Sequence, residues 1–89
     1  MVPLDPTPHP IDTLPGHGAA GAVALEDRAG TLDYAGLEAA VGKLAHWLAS
    51  QGLAEGDRVA SWLPKTRTAC LMPLAAPRAR LVHVPVNPV

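Results

Sequence analysis

Three glycines, Gly16, Gly18 and Gly21, stand in the stretch GHGAAG at the spacing G-x-G-x-x-G. Where that spacing binds a dinucleotide, the first glycine turns the chain tightly out of a strand. The second lets the pyrophosphate touch the backbone, and the third lets the following helix pack closely. A strand must therefore come before and a helix after. Here a proline-rich stretch comes before Gly16, and a strand follows Gly21. No helix N-terminus is placed to hold a phosphate, so the stretch reads as a flexible loop leading into the first strand.

The other reactive side chains do not combine. His9, His17, His46 and His83 stand far apart in the chain without metal-ligand spacing. Cys70 is the only cysteine, which rules out an intrachain disulfide and suits a reducing compartment. It reads as a small core residue with nothing basic placed to activate it. His46 is expected in solvent. His83, inside an apolar strand, is expected as a neutral imidazole bonded to backbone. Trp47 and Trp62 read as packing residues, and Asp57 with Arg58 as a strand-start ion pair worth about 0–1 kcal/mol. No nucleophile, base and orienting group can be assembled, so no catalytic, cofactor-binding or metal-binding residue is expected.

Composition excludes several partners. Seven basic and eight acidic side chains give a net charge of −1 without a basic run, and only three aromatics are present. Both facts argue against nucleic acid. The apolar run 69–76 is far short of a membrane span and contains Pro73, so no transmembrane segment is expected. The N-terminus shows no secretory apolar region, which predicts a cytoplasmic protein.

The elements that would position any site follow from periodicity. Residues 1–15 hold five of the ten prolines, and each proline pushes its predecessor out of the helical region, so no regular element is expected there. Residues 1–21 read as an extended leader. AVALED alternates like a half-buried strand, DRAG is a turn ending on glycine, and TLD returns as the second strand of a hairpin. Asp33 is placed to cap a helix over 34–51, with Tyr34, Leu37, Val41, Leu44 and Leu48 as its apolar stripe. Glu38, Lys43, His46 and Ser50 fall outside that stripe, and Gly52 ends the helix. A strand buried on both faces is expected over 58–63. Thr66 could cap a second helix over 67–79, kinked or shortened by Pro73 and Pro77, with Ala69, Met72, Leu74 and Ala76 buried. LVHVPV, 81–86, is a third apolar strand.

The fold class is α/β: a β-hairpin followed by α-β-α-β with a parallel sheet, strands 58–63 and 81–86 being neighbours. A final strand with no covering helix after it suits the incomplete front of a larger N-terminal domain.

The pieces LDYAGL (32–37), GDRVA (56–60), LP (63–64) and PRARLVHVPVNP (77–88), in that order and spacing, resemble the opening of the AMP-forming adenylating enzymes. These include acyl-CoA synthetases, aryl-CoA ligases and the adenylation domains of peptide synthetases. The resemblance implies that residues 22–89 begin the N-terminal domain of an AMP-dependent synthetase or ligase, with the remainder of the parent enzyme as partner. It implies an activity in which a small carboxylic acid is joined to AMP using ATP and Mg²⁺, releasing pyrophosphate, before transfer to a thiol such as CoA. The family's phosphate loop ending in Lys, aromatic-Thr-Glu motif, ribose-binding Asp and catalytic Lys have no counterpart here, so the chain alone is expected to be inactive. Asn87, where amino-acid-adenylating relatives more often carry Asp, leans toward the acyl- and aryl-CoA branch. Pro77 and Arg80 replace the family's usual Leu and Gly, which makes a clean end to the second helix doubtful. The alternative function is a stand-alone α/β interaction module that binds a partner through its unfinished edge.

Overall fold

Asp33 sets the start of the first helix. In the computed structural model, which describes residues 7–87, it is extended at φ −80° and ψ 177°, and its Oδ1 accepts the Gly36 N–H at 2.7 Å. Ahead of it, β1 (Val23–Asp27) and β2 (Gly30–Asp33) pair antiparallel, with Gly30 at φ 128° closing the turn. Behind it runs α1 (Tyr34–Ala49), which buries Leu37, Val41, Ala45 and Leu48. These recur at helical spacing and form one face. Ala45 joins the stripe in addition to the larger residues expected, and Glu38, Lys43, His46 and Ser50 are exposed as the pattern requires. Trp47, expected to pack, is 57% exposed.

After β3 (Arg58–Ser61), Thr66 Oγ1 accepts the Ala69 N–H at 3.3 Å and starts α2 (Arg67–Arg78). Of the two outcomes expected, a kink or a shortening, the shortening does not occur: α2 runs through both Pro73 and Pro77 to Arg78. Proline φ is itself helical, so each ring forfeits one N–H bond and strains one turn. Burial of Leu71, Met72, Leu74, Ala75 and Ala76 in one cluster with the α1 stripe offsets that loss.

The end of α2 is also clean. The Leu81 N–H reaches the Ala76 carbonyl at 2.8 Å, and the Arg80 N–H reaches that of Pro77 at 2.9 Å. This is a Schellman closure, and Leu81, 6% exposed, supplies its apolar contact to the core. The residue in the left-handed position is Arg80, at φ 61°. The position does want a glycine's backbone, and arginine occupies it under strain.

From there β4 (Val82–Pro85) pairs parallel with β3, in the register Arg58↔Val82 to Ser61↔Pro85, with α2 as the crossover between them. The parallel pairing is as expected. The burial on both faces is not. Val59, Ser61 and His83 are half-buried, Val59 against the core, while Arg58, Ala60, Val82 and Val84 alternate with them and are exposed. Trp62, another expected packing residue, is 74% exposed. Only one face of this two-stranded sheet has a helix over it among the described residues.

The end of the proline-rich N-terminal stretch is more ordered than its composition predicts, residues 1–6 lying outside the described ones. Ile11–His17 form a 3-10 turn with Pro15 buried, where no regular element was expected. The Arg78 guanidinium holds it in place. That group donates to Glu38 Oε1 at 2.8 Å, to Glu38 Oε2 at 2.9 Å and to the Asp12 carbonyl at 2.6 Å, tying α2, α1 and the turn together. Gly18 then lies so close to Tyr34 that an added Cβ would meet ring atoms at 2.5–2.6 Å. Gly18→Ala is therefore expected to cost about 1–3 kcal/mol by overpacking. An unchanged urea midpoint would show that the strap does not hold its seat on Tyr34.

Candidate functional site

The glycine stretch is the first place to look for a bound phosphate, and its neighbourhood is already satisfied. The Tyr34 N–H donates to the Ala22 carbonyl at 3.0 Å and the Ala35 N–H to the Ala20 carbonyl at 3.1 Å, while Asp33 takes the Gly36 N–H. The donors that a helix N-terminus would offer to an anion are spent on the chain itself. Gly16–Gly21 is thus no free loop: it ends the 3-10 turn, seats Gly18 on Tyr34 and leads into the carbonyls that cap α1. Sequence gives no sign of this, because the capping groups are backbone carbonyls.

An open cleft lies elsewhere, at the hairpin turn and the start of α2. It has a volume of ≈ 630 Å³ and is lined by Asp27, Arg28, Ala29, Lys65, Thr66 and Arg67. Its main feature is a two-pronged ion pair: Arg67 Nε donates to Asp27 Oδ2 at 2.9 Å and Nη2 to Oδ1 at 2.8 Å. Oδ1 also accepts the Ala29 N–H at 2.9 Å, and Thr66 Oγ1 is committed to its cap. The hydrogen bonds from Arg67 hold the Asp27 carboxyl below its ordinary range, and Asp27 in turn raises Arg67. Both carboxylate oxygens are occupied, so Asp27 is neither a general base nor a metal ligand here. Arg28 and Lys65 add positive charge to the rim.

The pair has a defined pH signature. Because the folded pKa of Asp27 is lowered, its contribution is fully present above the unfolded aspartate value of about 3.9 and is lost as pH falls through the lower folded value. Arg67 titrates far above the working range. The difference in urea midpoint between the wild type and Asp27→Asn is expected to be constant from pH 7 to 5 and to shrink below about pH 4. A difference independent of pH down to 3 would exclude an ionic origin.

Other reactive groups are placed as follows. The His83 imidazole pairs with a side chain rather than backbone, Nε2 lying 2.7 Å from Ser61 Oγ across the strand pair. No carboxylate hydrogen-bonds that ring among the described residues, so the pair lacks the third group that would make Ser61 a nucleophile. Cys70 is exposed, not a core residue. Asp57 does not bond Arg58; its Oδ2 accepts the Ala54 N–H at 2.9 Å. His9 and His17, far apart in sequence terms, are brought together by the 3-10 turn, with ring centroids 4.6 Å apart and His17 Nε2 3.2 Å from Thr13 Oγ1. Among the described residues no three metal-binding side chains converge, and no helix is long and apolar enough to cross a membrane.

Comparison with known proteins gives these features a context. The model of the family described as AMP-binding enzyme matches residues 16–89. ATP-bound MatB from Rhodopseudomonas palustris is similar at 33% identity with a TM-score of 0.79, over 89% of this chain and 16% of that one. VinN in complex with L-aspartate is similar at 31% identity with a TM-score of 0.77, over 88% of this chain and 22% of that one. Cyclosporin synthetase simA of Tolypocladium inflatum is 33% identical over 69 residues, 78% of this chain and, to the nearest per cent, 0% of the synthetase. The chain therefore spans only a small part of each relative's length.

Proposed function

The chain belongs to the AMP-binding enzyme family, and from that premise we propose that it forms the front of an AMP-forming acyl-CoA ligase and is catalytically silent by itself. The observation that carries the proposal is the shared shape: 89% of the chain follows ATP-bound MatB at a TM-score of 0.79 while covering 16% of it. Relatives that bind ATP or an amino acid do so with a far longer polypeptide than this one. The family's reaction joins a carboxylate to AMP with loss of pyrophosphate and then hands the acyl group to a thiol.

The α1 N-terminus and Asp27 do not fit the groups that this reaction uses. ATP and Mg²⁺ would need free amide donors and open carboxylates, and here the α1 N-terminus is capped and Asp27 is closed by Arg67. The role proposed for the chain is structural: it supplies a helix pair and a parallel strand pair on which the rest of the enzyme is built. The CoA branch rests on Asn87 alone, since the similar proteins include VinN, solved with an amino acid, and a peptide synthetase. The same reading places the protein in the cytoplasm, where the exposed Cys70 would stay a free thiol.

Pyrophosphate exchange into ATP, run on the 89-residue chain with a panel of fatty and aromatic acids, tests the proposal. Exchange is expected at the level of the enzyme-free blank. Acid-dependent exchange above that blank would overturn it.

A further inference from the structure

We propose that His9 and His17 form a binding site for a divalent transition-metal ion of the Cu²⁺ or Ni²⁺ type, with Thr13 as the residue that orients His17. The two histidines lie eight residues apart in the chain. The 3-10 turn Ile11–His17 brings their exposed rings to a centroid separation of 4.6 Å, with the planes tilted by 51°. Metal–imidazole bonds of about 2.0–2.1 Å place a ring centroid about 3.2 Å from the ion, so two rings meeting it at a right angle are about 4.5 Å apart and at the tetrahedral angle about 5.2 Å. The observed spacing suits the right angle. That is the geometry of square-planar and tetragonal Cu²⁺ and Ni²⁺ sites, whereas structural Zn²⁺ sites are tetrahedral.

The protons of the turn decide which ring nitrogen is open. Thr13 has one hydroxyl proton, and its Oγ1 donates it to the Pro10 carbonyl at 2.7 Å. Toward His17 Nε2, 3.2 Å away, the same oxygen can then only accept. In the neutral ring Nε2 therefore carries the proton, and Nδ1 is left as a bare lone pair. A ring that donates one N–H to a neighbour and offers its other nitrogen is the arrangement of a metal-ligating histidine, the donated bond fixing tautomer and orientation. The turn itself is held on both sides. The Thr13 N–H reaches the Pro10 carbonyl at 3.1 Å, and Arg78 holds the Asp12 carbonyl at 2.6 Å. Water supplies the remaining ligands, since no third metal-binding side chain converges there among the described residues.

Titration of the 89-residue chain with Ni²⁺ tests the site, in a Cys70→Ser background that removes the exposed thiol. The paramagnetic ion broadens the imidazole proton resonances of the rings it binds. The His9 and His17 signals are expected to vanish together, while those of His46 on α1 and His83 on β4 stay sharp. His9→Ala and His17→Ala are each expected to weaken binding at least tenfold, since even an outer partner of a ligand is worth about 10–100-fold. Thr13→Val is expected to weaken binding likewise and to remove the Nε2–H signature of His17 from the nitrogen–proton correlation spectrum; Thr13→Ser is expected to restore both. His9, Thr13 and His17 are all exposed, so the core is untouched by these changes. Equal broadening of all four histidines, or binding that survives His17→Ala, would overturn the site. Binding unchanged in Thr13→Val would overturn the orienting role of Thr13, and Zn²⁺ bound more tightly than Ni²⁺ would overturn the right-angled geometry.

Discussion

Replacing Leu48 by Ala is expected to cost about 2–5 kcal/mol. Leu48 lies in the last turn of α1, 3% exposed, in the cluster shared with Leu71, Met72, Leu74 and Leu81. Truncation removes the transfer free energy of three carbons and leaves a cavity that two packed helices can close only in part. A domain of this length is held by about 4–13 kcal/mol in total, from the usual 0.05–0.15 kcal/mol per residue. The variant should therefore show a sharply lowered urea midpoint and a substantial unfolded population without denaturant. Leu53, 43% exposed, serves as the control, and its truncation should change little. Equal midpoints for Leu48→Ala and Leu53→Ala would mean that α1 and α2 do not form the core described here.

The opposite change is expected at the end of α2. Arg80→Gly should stabilise by about 1 kcal/mol, because the left-handed conformation at φ 61° carries a Cβ penalty of about 1–2 kcal/mol that glycine lacks. The greater freedom of glycine in the unfolded chain offsets part of this. Little is lost with the side chain, since the Arg80–Glu55 contact is 3.8 Å long between groups that are 76% and 74% exposed. Pro77→Leu should add up to about 3 kcal/mol by restoring a helix N–H bond and an apolar contact. The two sites share a bond, Arg80 N–H to the Pro77 carbonyl, so their effects need not add and the double mutant measures the coupling. Lower urea midpoints for both single mutants would show that the helix end has a geometry of its own to which Pro77 and Arg80 are suited.

What the sequence determined by itself is local. Asp33, the spacing of Leu37, Val41 and Leu48, and Thr66 set both helix starts and the buried face of α1, because capping and periodicity act over three or four residues. The parallel order of β3 and β4 follows almost as directly, since a strand, a helix and a strand joined by short loops have few other ways to pack. The resemblance marks Arg80 as standing where the family has glycine, and the backbone there is left-handed. Only the tertiary structure decided the rest, and each case turns on a contact between distant residues. Arg78 reaches across 66 positions to the Asp12 carbonyl and gives the proline-rich stretch a seat that its composition does not forecast. The carbonyls of Ala20 and Ala22 close the α1 N-terminus that the glycine spacing would have offered to a phosphate. Trp62, Trp47 and Cys70 are apolar by type, and the pattern alone assigned them to a core. Whether an apolar side chain is buried depends on which surface lies against it, and for Trp62 and the bare face of β3–β4 the described chain provides none.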